Sequence, residues 1–154
     1  MNAPAISGVK HDSPVTDASV VSARQRDRLS RLFSGLAADA TRFDFYYTMR
    51  HIDANMESDI PLGRSPRPRY EPLRITQQPS LAFAPSTLYQ YRDGVTATGL
   101  GRLSVYHFGL FGPHGALPQH LTEYVQERML HYKDETMARF CDIFQHRMIL
   151  LFYR

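Results

Sequence analysis

Residues 148–153, MILLFY, end a helical pattern with six apolar residues in a row, which leaves the last turns of that helix no side suited to water. Such a segment has to be enclosed. Only Arg154 follows it, and no Gly or Asn stands there to close the helix and satisfy its final carbonyls. The expectation is that the natural chain continues beyond Arg154 or that another subunit covers this end. Working backwards, the helix starts near Asp134, and spacing predicts Met137, Phe140, Cys141, Phe144, Met148 and Leu151 as its buried stripe. His146 and Arg147 interrupt the apolar run. They fit either a role toward a partner or a local one, with the arginine snorkelling and the histidine exposed.

The other elements follow from periodicity and punctuation. Residues 1–22 show no pattern and read as a tail. In 23–56, Leu29, Leu32, Phe33, Leu36 and Ala37 form one helical stripe, and Phe45, Met49, Ile52 and Met56 form a second on a helix capped by Thr41. Residues 57–72 hold Pro61, Pro66, Pro68 and Pro72, a link that crosses the surface without regular structure. Residues 73–110 read as extended segments at 73–76, 81–83, 87–91 and 101–110, with a turn at Asp93-Gly94. In 111–154 a Gly/Pro loop precedes two helices, the first with Pro118 in its opening turn and Leu121, Val125 and Met129 on one face. The fold class is α+β: N-terminal helices, a small mostly antiparallel sheet, then two C-terminal helices.

Charge and chemistry narrow the function. The net charge of +3 is spread along the chain except at Arg64, Arg67 and Arg69, which lie in the proline-rich link and not on a helix face, so no nucleic-acid partner is expected. No stretch reaches the ~20 apolar residues that span a bilayer, and direct membrane insertion is not expected. The single Cys141 fits a reducing, cytoplasmic compartment and a packed core thiol. None of the seven histidines forms a metal-ligand pair with matched Cys or carboxylate spacing, and Gly99-Leu100-Gly101 lacks the rest of a phosphate loop. No catalytic, metal or cofactor residue is therefore assigned. The competing reading is a small hydrolase or metal enzyme built on His114, His120 or Cys141.

Two runs carry more information. Residues 109–123, GLFGPHGALPQHLTE, and residues 140–154, FCDIFQHRMILLFYR, resemble the TssG (ImpH/VasB) family of type VI secretion proteins, which has GLxGPxGxLPxHxTE followed by FxDxFxHRxxxLFYR. Segments at 61–64, 71–75 and 79–83 are similar to the same family, and the resemblance covers about residues 28–154. Cys141 and Gln145 depart modestly from it. The resemblance implies a cytoplasmic baseplate wedge component, docked at the inner-membrane-associated secretion complex and structural, without enzymatic activity. It implies as partners two TssF-like subunits, a TssE-like sheath initiator and TssK-like adaptor trimers, and a natural protein about twice this length. The residues expected to matter for structure or interface are Gly109, Phe111, Gly112, Pro113, Gly115, Leu117 and Pro118 in the loop. On the last helix they are Phe140, Phe144, His146, Arg147, Leu151, Phe152 and Tyr153.

Overall fold

The computed structural model describes residues 17–56, 60–94, 96 and 99–154. The first sixteen residues of the expected tail lie outside it. Helix α1 (Asp17–Asp39) starts inside that segment and buries Leu32 and Leu36, with Leu29 and Phe33 packed alongside. Ala37, expected on the same stripe, is exposed.

Helix α2 (Phe45–Asn55) buries Phe45, Met49 and Ile52 completely, as their i, i+4, i+7 spacing predicts. Its cap is Asp44, whose side chain accepts from the Tyr47 N–H, and not Thr41. Thr41 sits instead in a 3-10 turn, Ala40–Arg42, with its own N–H and hydroxyl bonded to Asp39. The Asp44 carboxylate stands directly before the first helical residue, where the free N–H groups point.

The sheet contains β1 (Leu73–Gln77), β2 (Leu88–Arg92) and β3 (Gly101–Val105) in the order β1-β3-β2. The α+β class holds, but the sheet is mixed: β2 runs antiparallel to β3, and β1 runs parallel to it. The turn after β2, with Gly94 at φ 61°, returns the chain antiparallel. The long connection over 78–87 carries it past β3's position, which leaves a slot beside β1 that β3 fills in parallel. Residues 81–83 in that connection form no strand, and Phe83 projects almost wholly into solvent. The last strand stops at Val105 because Gly109 (φ 153°) and Gly112 (φ 95°) turn the chain into a loop.

Residues 60–72 are more structured than the proline content suggests. Leu62, Ser65 and Glu71 are buried, and Pro68–Tyr70 makes one 3-10 turn. The Leu62 N–H donates to Asp53 and the Gly63 N–H to the Glu71 carboxylate. The backbone donors thus find carboxylates in place of a ladder, which is how an irregular segment can be buried at all.

Helices α3 (Gln119–His131) and α4 (Thr136–Tyr153) complete the chain. Two apolar cores result. The larger joins α1, α2, the inner sheet face (Leu73, Ile75, Leu88, Leu103, Val105) and Ile149 and Leu150 near the end of α4. The smaller joins Phe111, Val125, Ala138 and Cys141, with Leu117, Met129 and Met137 against it. Helix α4 therefore contributes to one core at each end.

Candidate protein interface

Between those two ends, α4 buries polar side chains. Asp142, Gln145 and His146 are enclosed, whereas Phe140, Ile143, Phe144, Leu151 and Phe152 are each more than half exposed. The expected stripe is corrected in phase. Cys141 is buried as expected and Met137 is partly buried, but Phe140, Phe144, Met148 and Leu151 face outward.

The reason lies at the edge of the sheet. Strand β1 is an edge strand, and its Ile75 and Gln77 N–H groups point away from β3 toward α4. His146 Nδ1 accepts from Ile75 at 3.1 Å, and Asp142 Oδ1 accepts from Gln77 at 3.2 Å. Alternate strand residues are about 6.6 Å apart, and helix residues i and i+4 rise about 6.0 Å, so two acceptors four apart on α4 match two donors two apart on β1. An open sheet edge is thereby covered by side chains of a helix.

Electrostatics agree with these roles. Burial, with Arg74 and Arg147 next in importance, pushes His146 down to about 4, so its ring is neutral near pH 7 and Nδ1 is free to accept. Burial raises Asp142 above the usual carboxylate range, against the opposing effects of Arg139, which donates to it at 2.8 Å, and the Gln77 N–H. Gln145 is fully enclosed, and neither end of its amide has a hydrogen-bond partner among the described residues.

The Gly/Pro loop is tied to the same place. The Gln77 side chain donates to the Phe111 carbonyl at 2.8 Å and accepts from the Phe111 N–H at 2.9 Å, a reciprocal pair fully inside the protein. Gly109 lies against that amide so closely that a Cβ would collide with Gln77 Oε1. A Cβ on Gly115 would meet the backbone of Leu110 and Phe111. The Gly112 N–H donates to Thr122 of α3, and the Leu117 N–H to the Leu110 carbonyl. Phe111 and Leu117 point into the smaller core, while Pro113 and Pro118 are exposed.

Arg147 has a local role, donating to the Ser65 carbonyl at 3.1 Å, as Arg154 does to Gly63. Together they hold the link against α4. Tyr153 packs on the larger core. Phe152 stacks on Phe108 at 4.6 Å and lies 6.2 Å from Tyr46, which extends the outward apolar surface past the end of α4. From Phe140 to Phe152 that surface runs about 18 Å along the helix.

Sequence reasoning missed Ile143, Gln77 and the inward Asp142 and Gln145. The available signal was that Asp142, Gln145 and His146 follow i, i+3, i+4 spacing, a polar stripe where an apolar one was sought. The alternative nucleophile is poorly served: Cys141 sits in the smaller core and burial pushes its thiol up, while His146 is bonded to the Ile75 backbone. Among the described residues, no three His, Cys, Asp or Glu side chains gather where a metal ion could bind.

The protein family described as Type VI secretion, TssG matches residues 39–154, three-quarters of the sequence and all of the elements from η-turn 40–42 to the end of α4. Neither the curated proteins nor the solved structures give a match.

Proposed function

The chain belongs to the TssG family of type VI secretion proteins, and from that premise we propose that it is a structural subunit of the secretion baseplate, holding partners through the outward face of α4. The observation that carries this reading is the inverted helix. Phe140, Ile143, Phe144, Leu151 and Phe152 are exposed while Asp142, Gln145 and His146 are buried. An exposed apolar helix face of this kind, rich in aromatic residues, suits a permanent protein contact.

The partners in this reading are two TssF-like subunits, which cover the α4 face, together with a TssE-like sheath initiator and TssK-like adaptor trimers. Contacts that each bury about 1,600 Å² suffice for a stable assembly. The loop over 109–118 supports α4 from behind, because Phe111 packs against Ala138 and Cys141. In this reading the subunit docks on the cytoplasmic side of a membrane complex; among the described residues no helix is long and apolar enough to cross a membrane. The role in this reading is structural: the Cys141 thiol packs in the smaller core and the His146 ring holds the β1 backbone.

Co-expression with a TssF-like protein tests this. The wild-type chain is expected to co-purify with it, and Phe140→Ser combined with Phe144→Ser is expected to weaken binding at least ~30-fold, since a central aromatic anchor is worth ~2 kcal/mol or more. Both residues face solvent, so the unfolding midpoint of the isolated chain should barely change. Failure of the wild-type pair to associate sinks the assembly reading. Unchanged binding by the double variant removes α4 from it.

A further inference from the structure

The outer face of the sheet carries a charge pattern that the apolar contact does not use. Register sets Arg74 of β1 beside Arg102 of β3, and Arg102 beside Arg92 of β2, so three arginines form one row across all three strands. With strands ~4.8 Å apart the row spans about 10 Å. Like charges directly opposite one another oppose strand pairing. Among the described residues none of the three is ion-paired with a carboxylate: Arg92 bonds to the Gln90 amide, and the nearby acids Glu135 and Asp142 are held by Arg139.

The row underlies two adjoining recesses that share Arg102 and Arg139. The first, ≈ 300 Å³, also includes Arg74, Asp142, Ile143 and His146, and the second, ≈ 210 Å³, includes Arg92 and Glu135. His146 is 3% exposed, and with Nδ1 taken by the Ile75 N–H its Nε2 has no hydrogen-bond partner among the described residues. Four arginines against two acids leave a surplus of positive charge. Desolvation and Arg139 both lower the Arg102 pKa, so an anion here would relieve an existing strain.

We infer that this face is a docking site for an acidic polypeptide segment of an assembly partner, whose carboxylates bind Arg74, Arg102 and Arg92. The inference rests on reading the chain as an assembly subunit. Paired carboxylates on an extended or helical segment, about 6 to 7 Å apart, fit a 10 Å row better than a single small anion does. Arginine forks suit carboxylates in geometry as well as charge. The partly exposed Glu135 beside the row disfavours a uniformly charged nucleic-acid backbone but tolerates carboxylates placed individually. Ile143 lines the first recess and also belongs to the exposed apolar face of α4, so one partner can occupy both surfaces.

The test is fluorescence anisotropy of the full 154-residue chain with a labelled ten-residue peptide of alternating Glu and Ala, against the same peptide with Gln for Glu. The glutamate peptide is expected to bind more tightly, and to weaken as salt is added. Arg102→Gln should lower its affinity at least tenfold, and Arg74→Gln with Arg92→Gln should do the same if the first variant folds poorly. Arg64→Gln, in the exposed part of the link, should leave it unchanged. Equal binding of the two peptides, or indifference to both sets of variants, overturns the inference. So does tighter binding of a single-stranded oligodeoxynucleotide, or full displacement of the peptide by millimolar inorganic phosphate. If the peptide fails to bind while Phe140→Ser with Phe144→Ser still disrupts co-purification, the docking site is lost and the assembly reading stands.

Discussion

Gln77→Leu is expected to remove about 4 kcal/mol of folding stability, because it leaves both buried backbone groups of Phe111 without partners at ~1–3 kcal/mol each. Leucine nearly preserves the volume of the side chain, so the loss reports the hydrogen bonds and not a cavity. Gln77 both donates to and accepts from Phe111 within 2.9 Å, and its own N–H is bound by Asp142. One residue thus joins the sheet edge, the Gly/Pro loop and α4. Against a total of ~5–15 kcal/mol for a domain, the variant sits near the limit of folding. At a urea m-value of ~2 kcal/mol/M the midpoint should fall by about 2 M. Gly109→Ala should resemble Gln77→Leu, since the added Cβ displaces the same amide. A midpoint shift below about 0.3 M for Gln77→Leu would mean that the reciprocal pair does not hold the loop.

The contrast between α2 and α4 shows what could be read in advance. Helix α2 has one apolar stripe and one polar side, so spacing alone identified Phe45, Met49 and Ile52 as buried. Helix α4 has apolar residues on nearly every side, and hydrophobic periodicity then has no phase. The default of turning polar residues outward gave the wrong answer at Asp142, Gln145 and His146. What decides the phase is the unpaired edge of β1, which offers two N–H groups spaced for residues four apart on a helix. That edge exists only because β3 pairs in parallel between β1 and β2, a long-range event that local patterns do not encode. The same non-local pairing aligns Arg74, Arg102 and Arg92, which are scattered in the sequence. The candidate residues fared according to the same logic. Phe140, Phe144, Leu151 and Phe152 lie together on the outward face, whereas His146 and Arg147 turned inward to backbone partners.

Acid should loosen the seam between α4 and β1 through His146. Its pKa in the folded protein is about 4, against 6.5 ordinarily, so the unfolded chain binds the proton more tightly. Stability from the neutral ring is therefore complete above pH 6.5 and is lost as pH falls toward 4, by about 3 kcal/mol at 1.36 kcal/mol per unit. After burial, the positive charges of Arg74 on the sheet and Arg147 on α4 further disfavour protonation of the ring. Asp142 acts the other way. Its raised pKa means that it takes up a proton more readily when folded, so it offsets part of the loss as the pH falls. His146→Asn separates the two, because its Oδ1 can replace Nδ1 as acceptor for the Ile75 N–H but does not titrate. At pH 7 the smaller Asn should make the variant the less stable protein. Between pH 6.5 and 4.5 the wild type should lose about 2 kcal/mol more than the variant in urea unfolding, so the two stability curves converge. Asp142 titrates in both and cancels from that difference. Parallel curves would show that protonation of His146 is not what acid acts on, and that the ring holds β1 equally well in both charge states.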